Sequence, residues 1–516
     1  MNTVNTVIIP TVGTGSRMKG LTKDLNKALL PYKQKPVLAH IIENFPDDTQ
    51  FIIPLGFNSD QIKDFCELTY SQRNITYVYI DDWTSEKSGT AYTLRACEEY
   101  LDGPFWYIPC DTYFNEIVFD SINFNDCYFI KKVSKIKSNL YTMFLIEDSN
   151  IKDISFKETK DESWDAFTGL MYIHNKDRFF SSLKELNSKE LIYSIEIGSK
   201  IRYLNSWLDF GNIETYQTEV SKSQKFDFSK SDEITYLCNG RVVKWWFDNT
   251  IAEKKYNRIS TNPSVFPNNC SYKNSWLAYD YFIGNTLYQY VDEKIFSNLL
   301  EWLDKEVWII NNENIEDHSV KFYKEKTLSR IDIFLKKNPN LKSIKYIDNI
   351  EVKNYDFYLN RIDWDLLIHE NLSVCFHGDL QFDNIVVNDD NFKIIDWRHE
   401  FANSNTTGDI YYDLAKLAGG FIINYSKIKE CNFDIEINDD SVTLKIPNID
   451  QIETYQNILK NYVYKKGLNY KKIQLLIPII FWNMAPLHTT PFDLFLWYLG
   501  IKLFEEMHQD EKIYQS

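Results

Sequence analysis

The stretch HGDLQFDNIVV at 377–387, followed by KIIDW at 393–397, constrains the fold more than any other segment. It sets Asp379 five residues before Asn384, and Asp396 twelve residues after Asn384 at the end of an apolar run. Phosphoryl transfer from ATP needs those parts in that order. An acid accepts the proton of the attacking hydroxyl, and an amide oxygen and a second carboxylate then hold the metal ions that bridge the phosphates. The other end of the chain carries a different nucleotide pattern, VGTGSRM at 12–18. Two nucleotide sites in one chain suggest two consecutive steps.

A chain of 516 residues exceeds one ordinary domain, and two or three are expected. Hydrophobic residues at 44% and charged residues at 25% describe a globular chain. The net charge of −16 disfavours nucleic acid and anionic membrane as partners. It does not disfavour nucleotides, which bind through local N–H groups, a few cations and Mg²⁺. The aromatic content of 16% reads as a compositional habit, with cages for a quaternary ammonium as the alternative. None of the eight cysteines has zinc spacing, so they read as reduced thiols of a cytoplasmic protein. The chain enters an apolar strand at once, without a signal-peptide pattern. The apolar segment from Leu475 to Phe504 is interrupted by polar residues and predicts two buried helices, not a membrane insertion.

Residues 1 to about 220 alternate apolar strands with helical patterns. Strands are expected at 6–12, 50–57, 75–81 and 104–111, and helices at 36–45, 59–70 and 89–101. Repeated βα units predict an α/β domain with a parallel, doubly wound sheet at 1–222. The polar stretch SKSQKFDFSKSD at 221–232 marks the boundary. Short strands dominate from about 233 to 290 and helices from about 291 to 516, which predicts an α+β two-lobed domain at 233–516. A hairpin is expected within 432–447.

In the first domain the glycine loop is followed by KDLNKALLP (23–31), GFNSDQIKDF (56–65), GTAYTL (89–94), Cys110–Asp111 and WLDFGNIETY (207–216). Glycines let backbone N–H groups approach phosphate oxygens, and Arg17 and Lys27 can supply positive charge. The ordered series resembles the nucleotidyltransferase family that joins an NTP to a sugar 1-phosphate or to phosphocholine. The resemblance implies that Gly13, Gly15, Ser16 and Arg17 hold the triphosphate and that Lys27 neutralises it. It also implies that Asp111 and Asp209 bind Mg²⁺ or Mn²⁺, and that Gly89 and Thr90 lie beside base and ribose. Glu158 and Gly169 fall where that family contacts the carrier of the acceptor phosphate. Taken singly, Asp209 reads equally as a cap for a helix starting near Ile213, and Lys27 as a surface lysine. The family usually has two small residues before the first glycine. Thr11 and Val12 stand there, which leaves the NTP open among CTP, UTP, GTP and dTTP.

The second domain resembles the aminoglycoside phosphotransferase and choline kinase family. That resemblance makes Asp379 the catalytic base, Asn384 and Asp396 the Mg²⁺ ligands, and His377 a structural support. Lys244, central in RVVKWWF (241–247), would reach the ATP phosphates, with Glu253 as the carboxylate that orients it. Asp413 in GDIYYDLAKL (408–417) corresponds to a brace for the catalytic loop.

The expectation is a bifunctional enzyme. ATP phosphorylates a small hydroxyl compound, and a second NTP is then coupled to that phosphate with release of pyrophosphate. The product would be an NDP-activated sugar or polyol for surface polysaccharide. A choline or amino-alcohol product is the alternative, and a silent nucleotide-binding regulator in one domain is the reading from another class. A homo-oligomer is compatible with any of these.

Overall fold

The computed structural model describes residues 6–85, 89–115, 125–185, 191–223, 232–259, 262–389 and 391–515. They divide into two compact units. The first runs to Gln224 and takes in Asp232–Phe247, and the second holds Asp248–Ser516.

In the first unit β1 (Thr6–Ile8), β2 (Gln50–Leu55), β3 (Asn74–Tyr79) and β4 (Phe105–Tyr107) pair in parallel in the order β3-β2-β1-β4. The crossovers carry α1 (Val37–Glu43), α2 (Ser59–Thr69) and α3 (Thr90–Cys97). Strand β2 is buried from Phe51 to Leu55, as a strand covered on both faces requires. Helix α2 buries Ile62, Asp64, Phe65, Cys66, Leu68 and Thr69 and leaves Asp60, near its start, exposed.

The sheet continues beyond β4, and there the expectation of a parallel, doubly wound sheet is corrected. The further strands are β5 (Cys127–Lys131), β6 (Thr142–Glu147), β7 (Asn150–Phe156), β8 (Trp164–Ile173) and β9 (Lys200–Tyr203). They complete a nine-stranded mixed sheet, β3-β2-β1-β4-β8-β5-β9-β7-β6. Strand β8 runs antiparallel to β4, β5 and β6. Strands β6 and β7 also pair antiparallel, because only two residues separate them, too few for the crossover that parallel pairing needs.

A hairpin of β10 (Glu233–Cys238) and β11 (Arg241–Trp246) belongs to the first unit. The Tyr236 hydroxyl donates to the Leu29 carbonyl, Leu237 N donates to Gln34 O at 2.7 Å, and Asn239 Nδ2 donates to Thr69 O at 2.6 Å. The boundary drawn from composition at 221–232 leaves this hairpin on its other side.

The second unit begins with α4 (Asn249–Ile259) and the hairpin of β12 (Ser271–Lys273) and β13 (Trp276–Asp280). It is then mainly helical. Among its elements are α5 (Glu293–Trp302), α6 (Lys326–Lys337), the ribbon of β14 (Ile385–Asn388) and β15 (Asn391–Ile394), and α7 (Ile410–Ile422). The 432–447 hairpin is present as β16 (Asp434–Asn438) and β17 (Ser441–Lys445). The apolar C-terminal segment forms α8 (Tyr470–Met484) and α9 (Phe492–Gln515), packed through Trp482 stacked on Trp497 at 5.2 Å. No described helix is long and apolar enough to cross a membrane. Helix α7 is buried from Ile410 to Phe421, so it forms the centre of the lobe.

Candidate active sites

The glycine loop leaves β1 and is tied down where it starts. Thr11 N donates to Pro54 O, and Phe57 N donates to Val12 O, both at 3.0 Å. Asn26 locks it from below: its Nδ2 donates to Thr11 O at 2.9 Å and Phe57 O at 2.7 Å, and its Oδ1 accepts from Ala28 N. Sequence reasoning missed Asn26, although it lies directly before Lys27 in the quoted segment. Gly15 has φ +66, the left-handed region, and opens the turn that carries Ser16 and Arg17.

Lys27, Asp111, Asp209 and Arg17 converge. Lys27 Nζ pairs with Asp111 Oδ2 at 2.9 Å. Thr112–Tyr113 pairs antiparallel with Leu208–Asp209, which brings the two aspartates together from distant parts of the chain. A methyl carbon built on Gly211 would lie 2.9 Å from both Asp111 Oδ2 and Asp209 Oδ1, and 3.4 Å from a terminal Arg17 nitrogen. Any side chain at 211 would collide with both carboxylates, so glycine lets the two aspartates and Arg17 crowd against the backbone here. Burial works against the Lys27 ammonium, but Asp111 outweighs it and raises its pKa. Burial likewise pushes Asp111 up, and Lys27 more than offsets this, so that its carboxyl lies below the ordinary value. Burial and then the Asp111 charge raise Asp209.

Those two facts fit a divalent cation. Two hard carboxylates meet, and burial, followed by the charge of Asp111, raises Asp209. Among the described residues no group of three or more His, Cys, Asp or Glu forms a metal cage. An ion here would take its remaining ligands from substrate oxygens and water. Asp209 does not cap the following helix. Asn212 does, accepting from Glu214 N at 2.8 Å, while Asp209 accepts from Gly211 N at 2.8 Å.

Gly169 lies where the β8–β5 register shifts, with φ +83. A Cβ there would meet Pro109 Cγ at 2.6 Å. Its direct effect is thus on the Pro109–Cys110–Asp111 turn. Glu158 is exposed and bound to Ser155 Oγ at 2.7 Å and Lys160 at 3.0 Å. Gly89 and Thr90 start α3.

In the second unit the 377–397 stretch forms one braced loop. His377 N and Gly378 N each donate to the Asp413 carboxylate at 2.7 Å, and Trp308 Nε1 donates to it at 3.1 Å. Burial pushes the Asp413 carboxyl up to about 6 against those bonds. Asp379 N donates to His377 Nδ1 at 3.1 Å, so Nε2 carries the proton and donates to Ile395 O at 2.8 Å. Burial holds the His377 imidazole down at about 4, consistent with a neutral structural ring. Asn384 Nδ2 donates to Asp379 O at 2.8 Å, which leaves its amide oxygen as an acceptor. Ile395 N donates to Asn384 O at 2.9 Å, which ties Asn384 to the residue before Asp396. Asp396 has φ +56, a conformation rare for a side-chain-bearing residue and concentrated at functional sites. The amide oxygen of Asn384 and the carboxylate of Asp396 are hard donors of the type Mg²⁺ takes.

Lys416 was not among the sequence candidates. Its Nζ pairs with Asp379 Oδ1 at 2.7 Å. It lies one turn after Asp413 on α7, so the helical period places it beside the braced loop. Burial opposes its charge, but Asp379 prevails and raises its pKa.

Lys244 is buried and pairs with Glu233 Oε1 at 2.8 Å. Its carboxylate partner within the hairpin is therefore Glu233, from the adjacent strand, whereas Glu253 is exposed on α4. A cross-strand pair lies outside what helical spacing can indicate.

No protein-family model matches the chain. The chain is similar to the bifunctional protein GlmU of Methanococcus vannielii, 24% identical over 162 residues, 31% of this chain and 37% of that protein. It is also similar to the UTP–glucose-1-phosphate uridylyltransferase AglF of Haloferax volcanii, 26% identical over 110 residues, 21% of this chain and 44% of that protein. The chain thus spans less than half the length of these curated relatives. Among solved structures, UDP-glucose pyrophosphorylase complexed with UDP-glucose aligns over 43% of this chain and 98% of its own, at 16% identity and a TM-score of 0.37. CTP:phosphocholine cytidylyltransferase from Streptococcus pneumoniae aligns over 42% of this chain and 99% of its own, at 18% identity and a TM-score of 0.34. Each likeness covers less than half of this chain.

Proposed function

We propose that the chain is a bifunctional enzyme making an NDP-activated sugar or polyol, of the kind used to build surface polysaccharide. The observation that carries the reading is the meeting of Asp111, Asp209, Lys27 and Arg17 around Gly211. In the first unit, an oxygen of the acceptor phosphate attacks the α-phosphorus of an NTP. The bond to the α,β-bridging oxygen breaks, and pyrophosphate leaves with that electron pair. No strong base is needed, only alignment and neutralisation of charge. Lys27 and Arg17 neutralise the triphosphate, and the loop N–H groups between Gly13 and Arg17 orient it. Mg²⁺ or Mn²⁺, held by Asp111 and Asp209, would lower the electrostatic barrier between two anions.

In the second unit, a substrate hydroxyl attacks the γ-phosphorus of ATP. The new O–P bond forms as the bond to the β,γ-bridging oxygen breaks, ADP leaves, and the hydroxyl proton passes to Asp379. Asp413 and His377 hold the loop on which Asp379 and Asn384 sit, and Asn384 and Asp396 supply metal ligands. The support is the braced geometry of that loop.

The test is a pair of half-reactions. Asp379→Ala should abolish phosphorylation of the free acceptor yet leave coupling of the pre-phosphorylated acceptor intact, and Asp111→Ala should do the reverse. Loss of both half-reactions in either variant, with the fold retained, refutes the two-site reading. If one half-reaction is missing in the unaltered protein, that unit is a nucleotide-binding regulator.

A further inference from the structure

The surroundings of Asp379 are cationic. Lys416 pairs with it at 2.7 Å. Arg398 Nε donates to the carbonyl of Gly378, the residue before it, at 3.1 Å. The Arg398 guanidinium lies 5.3 Å from the Phe322 ring centroid and 6.0 Å from that of Tyr412. Lys326, at the start of α6, shares the same two rings, with Nζ 3.3 Å from the Phe322 centroid and 5.4 Å from that of Tyr412. Lys326 is half-buried, and among the described residues it makes no ion pair with any carboxylate. Burial, followed by Arg398, Arg330 and Lys416, depresses its ammonium, and Asp379 only partly compensates. Two other carboxylates of this unit are already matched: Asp383 by Lys429 at 2.7 Å and Asp493 by Lys337 at 3.1 Å.

Cations gathered in a half-buried place repel one another and lose hydration. An anion arriving there relieves both penalties, whereas a cation would add to them. We propose that the compound phosphorylated at Asp379 carries its own anionic group, a carboxylate or a phosphate, which docks on Lys326 and Arg398 while its hydroxyl faces Asp379. This rests on the kinase reading of the second unit and narrows its acceptor class. It excludes choline and other amino alcohols, whose positive charge would meet Lys326, Arg398 and Lys416. The aromatic rings here are already covered by the protein's own cations, so they do not offer the open faces of a quaternary-ammonium cage. Phosphoryl transfer itself is balanced as before, with the hydroxyl proton on Asp379 and ADP as leaving group. The anionic group takes no part in bond making.

The experiment measures ATP-dependent phosphorylation by the full chain of matched compounds: glycerol against glycerate and glycerol 3-phosphate, sorbitol against gluconate, and choline. The anionic member of each set should be preferred. Glycerate against glycerol 3-phosphate separates a carboxylate ligand from a phosphate. Lys326→Met should raise KM for the anionic acceptor roughly tenfold to a hundredfold, the loss of one charge-assisted contact. The KM for ATP should stay unchanged, and Lys326→Arg should restore most of the affinity. Because the substitution removes a half-buried charge, the variant is expected to fold, which its melting temperature checks. Preference for glycerol, sorbitol or choline would overturn the inference and leave the kinase reading standing. So would a Lys326→Met variant with weakened ATP binding and an unaltered acceptor KM, since the cluster would then serve the nucleotide. Absence of phosphoryl transfer to every compound would overturn the kinase reading and this inference with it.

Discussion

Two glycines of the first unit should respond to the same substitution in opposite ways. Gly169 has φ +83, and its missing Cβ would lie 2.6 Å from Pro109 Cγ and 3.5 Å from Pro109 Cδ. An alanine there is penalised twice. The left-handed backbone costs roughly 1–2 kcal/mol for a residue with a Cβ. Forcing a methyl into the Pro109 ring costs about 1–3 kcal/mol more. Gly169→Ala should therefore lose about 2–5 kcal/mol, a large share of the roughly 5–15 kcal/mol that holds a domain together. Any relief by movement of Pro109 displaces Asp111, two residues on, and lowers nucleotidyl transfer as well. A Cβ on Gly13 would meet nothing within 4 Å. Gly13→Ala should change stability by no more than about 0.5 kcal/mol. It should still reduce transfer, because the methyl would occupy space that the triphosphate needs beside the loop. Urea unfolding followed by tryptophan fluorescence gives the first quantity, and pyrophosphate release from the pre-phosphorylated acceptor gives the second. A Gly169→Ala protein as stable as the parent would refute the packing argument. A Gly13→Ala protein with full transfer activity would refute the ligand-facing role of the loop.

Asp209 offers a separation of stability from activity. Its carboxyl is raised by burial and by Asp111, so its contribution to folding is present at low pH and is lost as pH rises through its folded pKa. At neutral pH without metal, Asp209→Asn should raise the melting temperature while abolishing transfer; a lower melting temperature would contradict the assignment. His377 runs the other way. Its folded value of about 4 lies below the ordinary 6.5, so its contribution is present above 6.5 and is lost as pH falls towards 4. Relative to His377→Gln, the parent should lose about 3 kcal/mol of second-unit stability over that window, and parallel pH profiles would refute a buried neutral ring. Tyr236 is fully buried, with its hydroxyl on Leu29 O. Tyr236→Ala should cost about 3–5 kcal/mol, read as a lower unfolding midpoint of the nucleotidyl-transfer activity; an unchanged midpoint would show that the hairpin does not support this unit.

Much of the layout was legible because it is local. The strands and helices of the first crossovers fall at 6–8, 37–43, 50–55, 59–69, 74–79, 90–97 and 105–107, within one residue of the periodic segments that predict them. The C-terminal apolar run divides into two helices, and the 432–447 hairpin is where its alternation puts it. Motif spacing brought forward Asp379, Asn384 and Asp396, because chemistry fixes which residue types must recur at which interval, and a family resemblance brought forward Asp111 and Asp209. What the sequence could not determine was every pairing between segments far apart in the chain. Strand β8 turns a parallel sheet into a mixed one by pairing with three others. Glu233, not the nearby helical Glu253, meets Lys244 on the adjacent strand. Asn26 reaches across to Phe57 O, Gly169 yields to Pro109, Lys416 reaches Asp379, and Lys326 shares the Phe322 and Tyr412 rings with Arg398. Period and propensity act over a few residues, whereas these contacts depend on which surfaces fold against one another. The charge around Asp379 is therefore a property of the tertiary structure alone.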